Sequence, residues 1–244
     1  MSREPENPKE EEKKNAWWRR WDVWTFIAAA AATLSSIWFG VETMIQENSR
    51  EAHERYSDVV NKSGSTSPDI RMGGIYALEE LNDEGEIDHR RLLEILTPFI
   101  RGRSPRPPKL ITPKKKEREY CFGLKAPEVD IEAAMKVLAR REIQADERPD
   151  LRYTELALLS LPEQAQLTNV DLTSADLRCS KLRGVNLENA DLSGTWMTWA
   201  DLTNANLHHA KHLDQVVWRH TTCPDGIMSH RDEKGIETCK GHLI

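Results

Sequence analysis

The sequence is poor in cysteine: four residues, at 121, 179, 223 and 239, are too few and too scattered for a disulfide-framework fold. It also lacks an excess of positive charge. The formal net charge is −6, which argues against a dedicated DNA binder, because such domains are normally basic. The negative charge is in turn too mild to argue for imitation of nucleic acid. There is no glycine-rich phosphate loop, no G-x-S-x-G, no H-E-x-x-H and no strand-flanked nucleophile. No catalytic residue and no cofactor site are expected, and the chain reads as non-enzymatic. Apolar residues make up 39% of the sequence, enough for a core, but they are unevenly spread. Residues 1–22 are dominated by charged and polar side chains and are expected to be disordered.

One long apolar run is present. Residues 23–41 read VWTFIAAAAATLSSIWFGV without a charge. As a helix rising about 1.5 Å per residue, the run spans about 28 Å, close to the hydrocarbon thickness of a bilayer. Trp17, Trp18, Trp21 and Trp24 crowd one end, and Trp38 and Phe39 lie near the other, as suits rings at the headgroup level. A secretory signal would have a shorter apolar region followed by a small-residue cleavage site. A single transmembrane helix is therefore expected over 23–46. Arg3, Lys9, Lys13, Lys14, Arg19 and Arg20 precede the run, whereas Arg50 and Arg55 follow it. The positive-inside rule then places the N-terminus in the cytoplasm. The strongly basic stretch at 101–118 pulls against that orientation, although it lies too far from the span to weigh in the rule.

Residues 47–146 carry amphipathic segments. Ser67-Pro68-Asp69 offers an N-cap with proline at the first helical position, and Ile75, Leu78 and Leu81 recur on one face. Asp88 can cap a second helix carrying Leu92, Leu93, Leu96, Phe99 and Ile100. A third, over about 127–141, has Ile131, Ala134, Met135 and Leu138 as its stripe. Gly73 and Gly74 suggest close helix packing, since each costs about 1 kcal/mol in helix propensity. Between the second and third segments, 102–119 is proline-rich and basic and reads as a linker.

The strongest signal is a repeat of period five. From 165 the chain runs AQLTN, VDLTS, ADLRC, SKLRG, VNLEN, ADLSG, TWMTW, ADLTN, ANLHH. The central positions are Leu167, Leu172, Leu177, Leu182, Leu187, Leu192, Met197, Leu202 and Leu207. Two residues before each stands a small or β-branched one: Ala165, Val170, Ala175, Ser180, Val185, Ala190, Thr195, Ala200 and Ala205. A period of five fits neither helix nor simple strand and marks a repeat architecture. The pattern resembles the pentapeptide-repeat family, whose motif is A(D/N)LXX. That resemblance implies a right-handed quadrilateral β-helix, each quintet forming one side, with both marked positions pointing inward. A prelude centred on Leu151, Leu156 and Leu161 is expected to add to the solenoid before a one-residue slip at Pro162-Glu163. The pattern fails at His212, so the repeat region is bounded at 147–214, with 215–244 as a capping tail. The expected fold class is thus α+β: a single span, a small helical module and a short solenoid. The stretch DIRMGGIYALEEL at 69–81, with Asp88-His89, the helix at 131–141 and the tail sequences TTCPDG and TCKGHLI, is similar to the module preceding the repeats in membrane-associated bacterial members of the family.

Three states are open to Cys223 and Cys239. They could form a disulfide stapling the tail, supply a zinc site together with His220 and His242, or remain free thiols. Trp196 and Trp199 flank the inward Met197 and should project from the solenoid, where tryptophans could anchor a protein partner unless the tail around Trp218 covers them. The Asp and Asn residues before each Leu recur at the structural period and so read as scaffold chemistry. The leading expectation is a membrane-anchored scaffold that presents a repeat surface to a protein partner, the bilayer being its other partner. One alternative is a membrane effector whose span oligomerises or perturbs the bilayer, since Ala28 to Ala32 with Ser35-Ser36 form a small-residue face suited to homo-oligomers. Another, implied by the family resemblance alone, is DNA mimicry toward topoisomerases. Nucleic acid is not an expected partner.

Overall fold

The computed structural model describes residues 54–106, 120–140, 146–231, 237–239 and 241–242. The expected charged terminus (1–22), the expected span (23–46) and most of the basic linker (107–119) lie outside them. Among the described residues no helix is long and apolar enough to cross a membrane. Of the two compact units into which the chain divides, the second, Tyr56–Ile244, holds both the helices and the repeats.

Helix α1 spans Pro68–Asp83, α2 His89–Arg103 and α3 Val129–Ala139. Pro68 opens α1, where its missing N–H costs nothing. Asp88 caps α2 by accepting the Arg91 N–H at 2.7 Å. The expected stripes are buried: Ile75, Leu78 and Leu81 from α1; Leu92, Leu93, Leu96 and Ile100 from α2; Ile131, Ala134, Met135 and Leu138 from α3. Phe99 is only partly buried against this cluster. The α2 helix runs to Arg103, two residues into the expected linker, because Ile100 still has core to pack against.

A polar contact absent from the hydrophobic pattern joins α1 to α3. Arg71 is 2% exposed, and its Nε donates to Oδ2 of the fully buried Asp130 at 2.5 Å. The same guanidinium donates to the carbonyls of Ser65 and Thr66 at 3.0 and 2.8 Å, fixing the turn that leads into α1. Gly74 meets the preceding helical segment closely. A Cβ there would lie 2.9 Å from the Ser63 nitrogen, whereas one at Gly73 would touch nothing. Only Gly74 is therefore accounted for by close packing.

The repeats form the solenoid. All nine central residues from Leu167 to Leu207 are buried, as are all nine residues two positions earlier. Where the earlier residue is polar, its hydroxyl finds a backbone carbonyl: Ser180 donates to Leu177 O at 2.7 Å and Thr195 to Leu172 O at 2.9 Å. After each central residue the chain turns a corner. The carbonyl of Leu172, for example, accepts the Ala175 N–H at 2.9 Å, and the corner residue Ser174 has φ 57°. A positive φ at the third turn residue is the type II pattern, which explains Asn169, Gly184, Asn189, Gly194 and Asn204 at these corners. Coils stack by parallel bridges between residues twenty apart, such as Gln166 with Asn186 and Asp171 with Asp191. Four quintets therefore complete one coil.

Two irregularities sit at corners. Asp150, Glu155 and Ser160 pair with Asp171, Asp176 and Lys181, a separation of twenty-one, so one extra residue enters between Ser160 and Gln166 around Pro162-Glu163. The second irregularity is at His212, where the sequence pattern ends, and there the structure departs from that boundary. His212 takes φ 58°, a short 3-10 turn follows at Leu213–Gln215, and pairing resumes with Trp196 to Val217 and Asp201 to Thr222. Trp218 and Cys223 take the inward places, although neither belongs to the motif. The chain then closes with a small antiparallel ribbon, β1 (His230–Arg231) and β2 (Glu237–Thr238).

Candidate interaction walls

Because the interior is filled, chemistry is confined to four outer walls, each a column of residues in register. Wall A carries Asp150, Asp171, Asp191 and Lys211; wall B carries Glu155, Asp176, Trp196 and Val217. Wall C carries Ser160, Lys181, Asp201 and Thr222, and wall D Gln166, Asn186 and Asn206.

The Asp or Asn before each Leu does the same local work throughout. Its side-chain oxygen accepts the backbone N–H two residues on, as Asp171 does from Thr173 at 3.1 Å and Asn206 from His208 at 2.9 Å. On wall D the amides also join coil to coil, Asn206 donating to Asn186 at 3.0 Å and Asn186 to Gln166 at 2.9 Å. Wall A is a lattice of opposite charges. Arg148 reaches Asp191 at 3.0 Å and Asp171 at 3.6 Å, Arg101 and Arg152 hold Asp150, and His212 meets Asp191 at 2.8 Å. The Arg152 guanidinium holds the Asp150 carboxyl below its ordinary range. Burial pushes the Asp191 carboxyl up, but His212 and the Ser193 N–H outweigh it and leave it lowered.

Wall B is the most elaborate. Arg178 and Asp176 are both buried, with Arg178 Nη2 donating to Asp176 Oδ2 at 2.6 Å and Nε to both carboxylate oxygens at 2.8 and 2.9 Å. Burial works against the Arg178 cation, but Asp176 and the Tyr120 hydroxyl prevail and raise its pKa. The carbons of the Arg178 and Arg106 guanidinium groups lie 5.6 and 5.3 Å from the centroid of the Trp196 ring, within cation–π range. Trp196 is half-buried. Trp199 stands instead at the corner, with φ 62°, and stacks on His220 of the next coil at 4.6 Å between ring centroids. Trp218 itself points inward and donates its indole N–H to Leu213 O at 2.9 Å, while its neighbours Val217 and His220 meet Trp196 and Trp199.

The helical module meets the solenoid beside wall B at two described places. Before residue 107, Arg106 N–H donates to Tyr153 O and Glu155 N–H to Ser104 O, both at 2.7 Å, with Pro105 bridged to Thr154. After residue 119, Cys121 is bonded to Cys179, and Arg178 donates to the Tyr120 hydroxyl at 3.3 Å. Nothing in the sequence pairs these cysteines. Fifty-eight residues separate them, and no spacing rule deduces such connectivity. Cys223 and Cys239 form the second disulfide, so their sulfurs are bonded to each other and offer no thiolate to zinc. His220 stacks on Trp199, while His242 Nδ1 meets Asp225 at 2.5 Å and its Nε2 meets His230 at 3.1 Å. Among the described residues no group of three or more His, Cys, Asp or Glu is placed to hold a metal ion.

The repeat also matches a known family model. Residues 165–204 and 180–211 match the family model for pentapeptide repeats, in eight copies. The match falls on the stretch whose quintets build the solenoid. Among solved structures, the chain is similar to a pentapeptide repeat protein from the thylakoid lumen of Arabidopsis thaliana, at 27% identity over 30% of this chain and 50% of that one, with TM-score 0.29. It is also similar to HetL, a pentapeptide repeat protein involved in heterocyst differentiation regulation from the cyanobacterium Nostoc, at 21% identity over 35% and 45%, with TM-score 0.24. The chain thus spans about half the length of the solved structures it matches. No curated protein matches it.

Proposed function

We propose that the chain is a non-enzymatic, single-pass membrane protein that presents its solenoid to a protein partner, with the solenoid on the oxidising side of the bilayer. The observation that carries the reading is the contrast between a filled interior and four ordered walls. One wall sets Trp196 beside two guanidinium groups, the residue types that dominate interface energetics. Two disulfides among the described residues suit an oxidising compartment. The basic residues ahead of the apolar run support the same orientation through the positive-inside rule. Wall A speaks against nucleic-acid mimicry, since its carboxylates are interleaved with Arg101, Arg148 and Arg152 and leave no uninterrupted negative face.

A photo-crosslinking residue on wall B of the full chain tests the docking surface, with the same residue on wall D as control. Adducts from wall B that Trp196→Ala abolishes and Asn206→Ala retains are expected; equal adducts from both walls would refute it. A C-terminal reporter active only in the reducing compartment would overturn the orientation.

A further inference from the structure

Beyond the last coil lies a polar cluster that the walls do not use. The fully buried Cys223–Cys239 disulfide ties two segments together, and each carries one member of the cluster. Asp225 stands two residues after Cys223, in a turn closed by the Gly226 N–H, which donates to Cys223 O at 2.8 Å. Its Oδ1 accepts the Ile227 N–H at 2.9 Å, which leaves Oδ2 for Nδ1 of His242, at 2.5 Å. His242 stands three residues after Cys239, its backbone N–H donating to Cys239 O at 2.9 Å. Across its ring, Nε2 lies 3.1 Å from Nδ1 of His230, in β1. The two rings are inclined at 78°, with centroids 4.9 Å apart. Asp225 and His230 are exposed and His242 is half-buried, so the cluster is open to solvent.

We propose that His230 and His242 bind a divalent transition-metal ion that prefers imidazole, copper(II) foremost, with Asp225 positioning His242. Imidazole nitrogens sit about 2.0–2.1 Å from such an ion, which places two neighbouring ones about 2.9 Å apart in a square and about 3.4 Å apart in a tetrahedron. The observed 3.1 Å falls between those limits. A carboxylate behind the ring is the device that fixes the tautomer and orientation of a metal-binding histidine. Asp225 holds the His242 hydrogen on Nδ1, which leaves the Nε2 lone pair facing His230. His230 then binds through Nδ1 and carries its own hydrogen on Nε2, so the ion replaces the hydrogen bond between the rings. Imidazole donors suit copper, nickel and zinc, whereas calcium and magnesium take oxygen, and copper heads the order of affinity. Among the described residues no third side chain joins the pair. The remaining positions go to water, which makes the ion exchangeable, unlike one in a closed four-ligand structural site. Only His242 is shared with the set suggested by the sequence: His220 stacks on Trp199, and both cysteines are oxidised.

The test uses the full chain in detergent, stripped of metal with a chelator and kept free of reductant. Copper(II) is titrated at neutral pH, with electron paramagnetic resonance to count the coordinated nitrogens and a competing chromophoric chelator to set the affinity. One equivalent bound through two imidazole nitrogens is expected, with zinc(II) held more weakly. His230→Ala and His242→Ala should each weaken binding at least about tenfold. Asp225→Asn spares both ligands and should weaken it by about tenfold to a hundredfold. The adjacent exposed pair His208 and His209, with ring centroids 3.9 Å apart, is the control, and His208→Ala/His209→Ala should bind as the parent chain does. Fewer than two coordinated imidazole nitrogens in the parent chain would overturn the proposal whether or not any variant folds. Undiminished binding by His230→Ala, or loss of binding in the control, would overturn it too, and undiminished binding by Asp225→Asn would overturn the positioning role.

Discussion

Replacing Leu187 by alanine probes the inward column of the solenoid. Leu187 is fully buried in a middle coil. Its own N–H donates to Asn206 O, and the Leu167 N–H of the coil below donates to Asn186 O, both at 2.8 Å. Truncation removes three carbons, about 2.4 kcal/mol of transfer free energy at about 0.8 kcal/mol each. The coils above and below are held at fixed spacing by those backbone bonds, so the walls cannot close around the gap and a cavity cost is added. The expected loss is about 4 kcal/mol, in the upper part of the range for such substitutions. In a unit of this size that lowers the melting temperature by about 12 °C, at about 3 °C per kcal/mol. Thermal unfolding followed by circular dichroism measures it, with Glu188→Ala, in the corner that follows, expected to change stability by less than about 0.5 kcal/mol. A loss below about 1 kcal/mol for Leu187→Ala, or equal losses for both variants, would refute the inward placement of the central residues.

The buried pair between α1 and α3 should behave as a unit. Asp130→Asn alone, which leaves Arg71 charged and buried, should cost about 3–5 kcal/mol, while Arg71→Met with Asp130→Leu should cost clearly less; a chemical denaturation cycle with additive losses would sink the pairing. The two adjacent glycines should respond oppositely. Gly74→Ala should destabilise by about 1–3 kcal/mol as its Cβ meets the Ser63 nitrogen, and Gly73→Ala should stabilise by up to about 1 kcal/mol, so melting shifts of the same sign would contradict the packing described. Acid should weaken the solenoid through wall carboxylates. Asp150 is held low by Arg152, and in Asp191 and Asp201 burial pushes upward but bonds to His212 and to Thr203 win. A lowered folded-state carboxyl stabilises above the unfolded value, about 3.9, and that contribution is lost as pH falls through the folded value. Melting temperature should therefore be level near pH 6 and fall below about pH 4, and a profile flat to pH 2 would count against these contacts.

The parts of the fold legible in the sequence are those governed by local periodicity. Leucines every five residues specify an inward column whatever their neighbours do, and the stripes of α1, α2 and α3 specify the buried faces of the module. What escaped depends on residues distant in sequence. Arg71 and Asp130 look like ordinary surface charges until the helices are brought together. Cys121 and Cys179 likewise give no sign of their pairing until the chain around them is folded. Trp196 and Trp199 look equivalent on either side of Met197, yet one occupies a wall and the other a corner, a distinction that rests on backbone conformation. The expected end of the repeats at 214 falls short of the observed coil for a related reason. A motif read by residue type stops at the first wrong letter, whereas the coil continues as long as backbone amides can pair and something bulky enough, here Trp218 and then Cys223, fills the axis.

Both single-residue irregularities fall where the chain turns, and neither disturbs the columns on either side. An added residue at such a bend lengthens the perimeter locally and is forgotten one side later, because registration is renewed at every rung by the strand beneath. Length variation in a molecule built this way should accumulate at its edges, leaving the flat sides free to keep a recognition pattern intact while the outline around them changes.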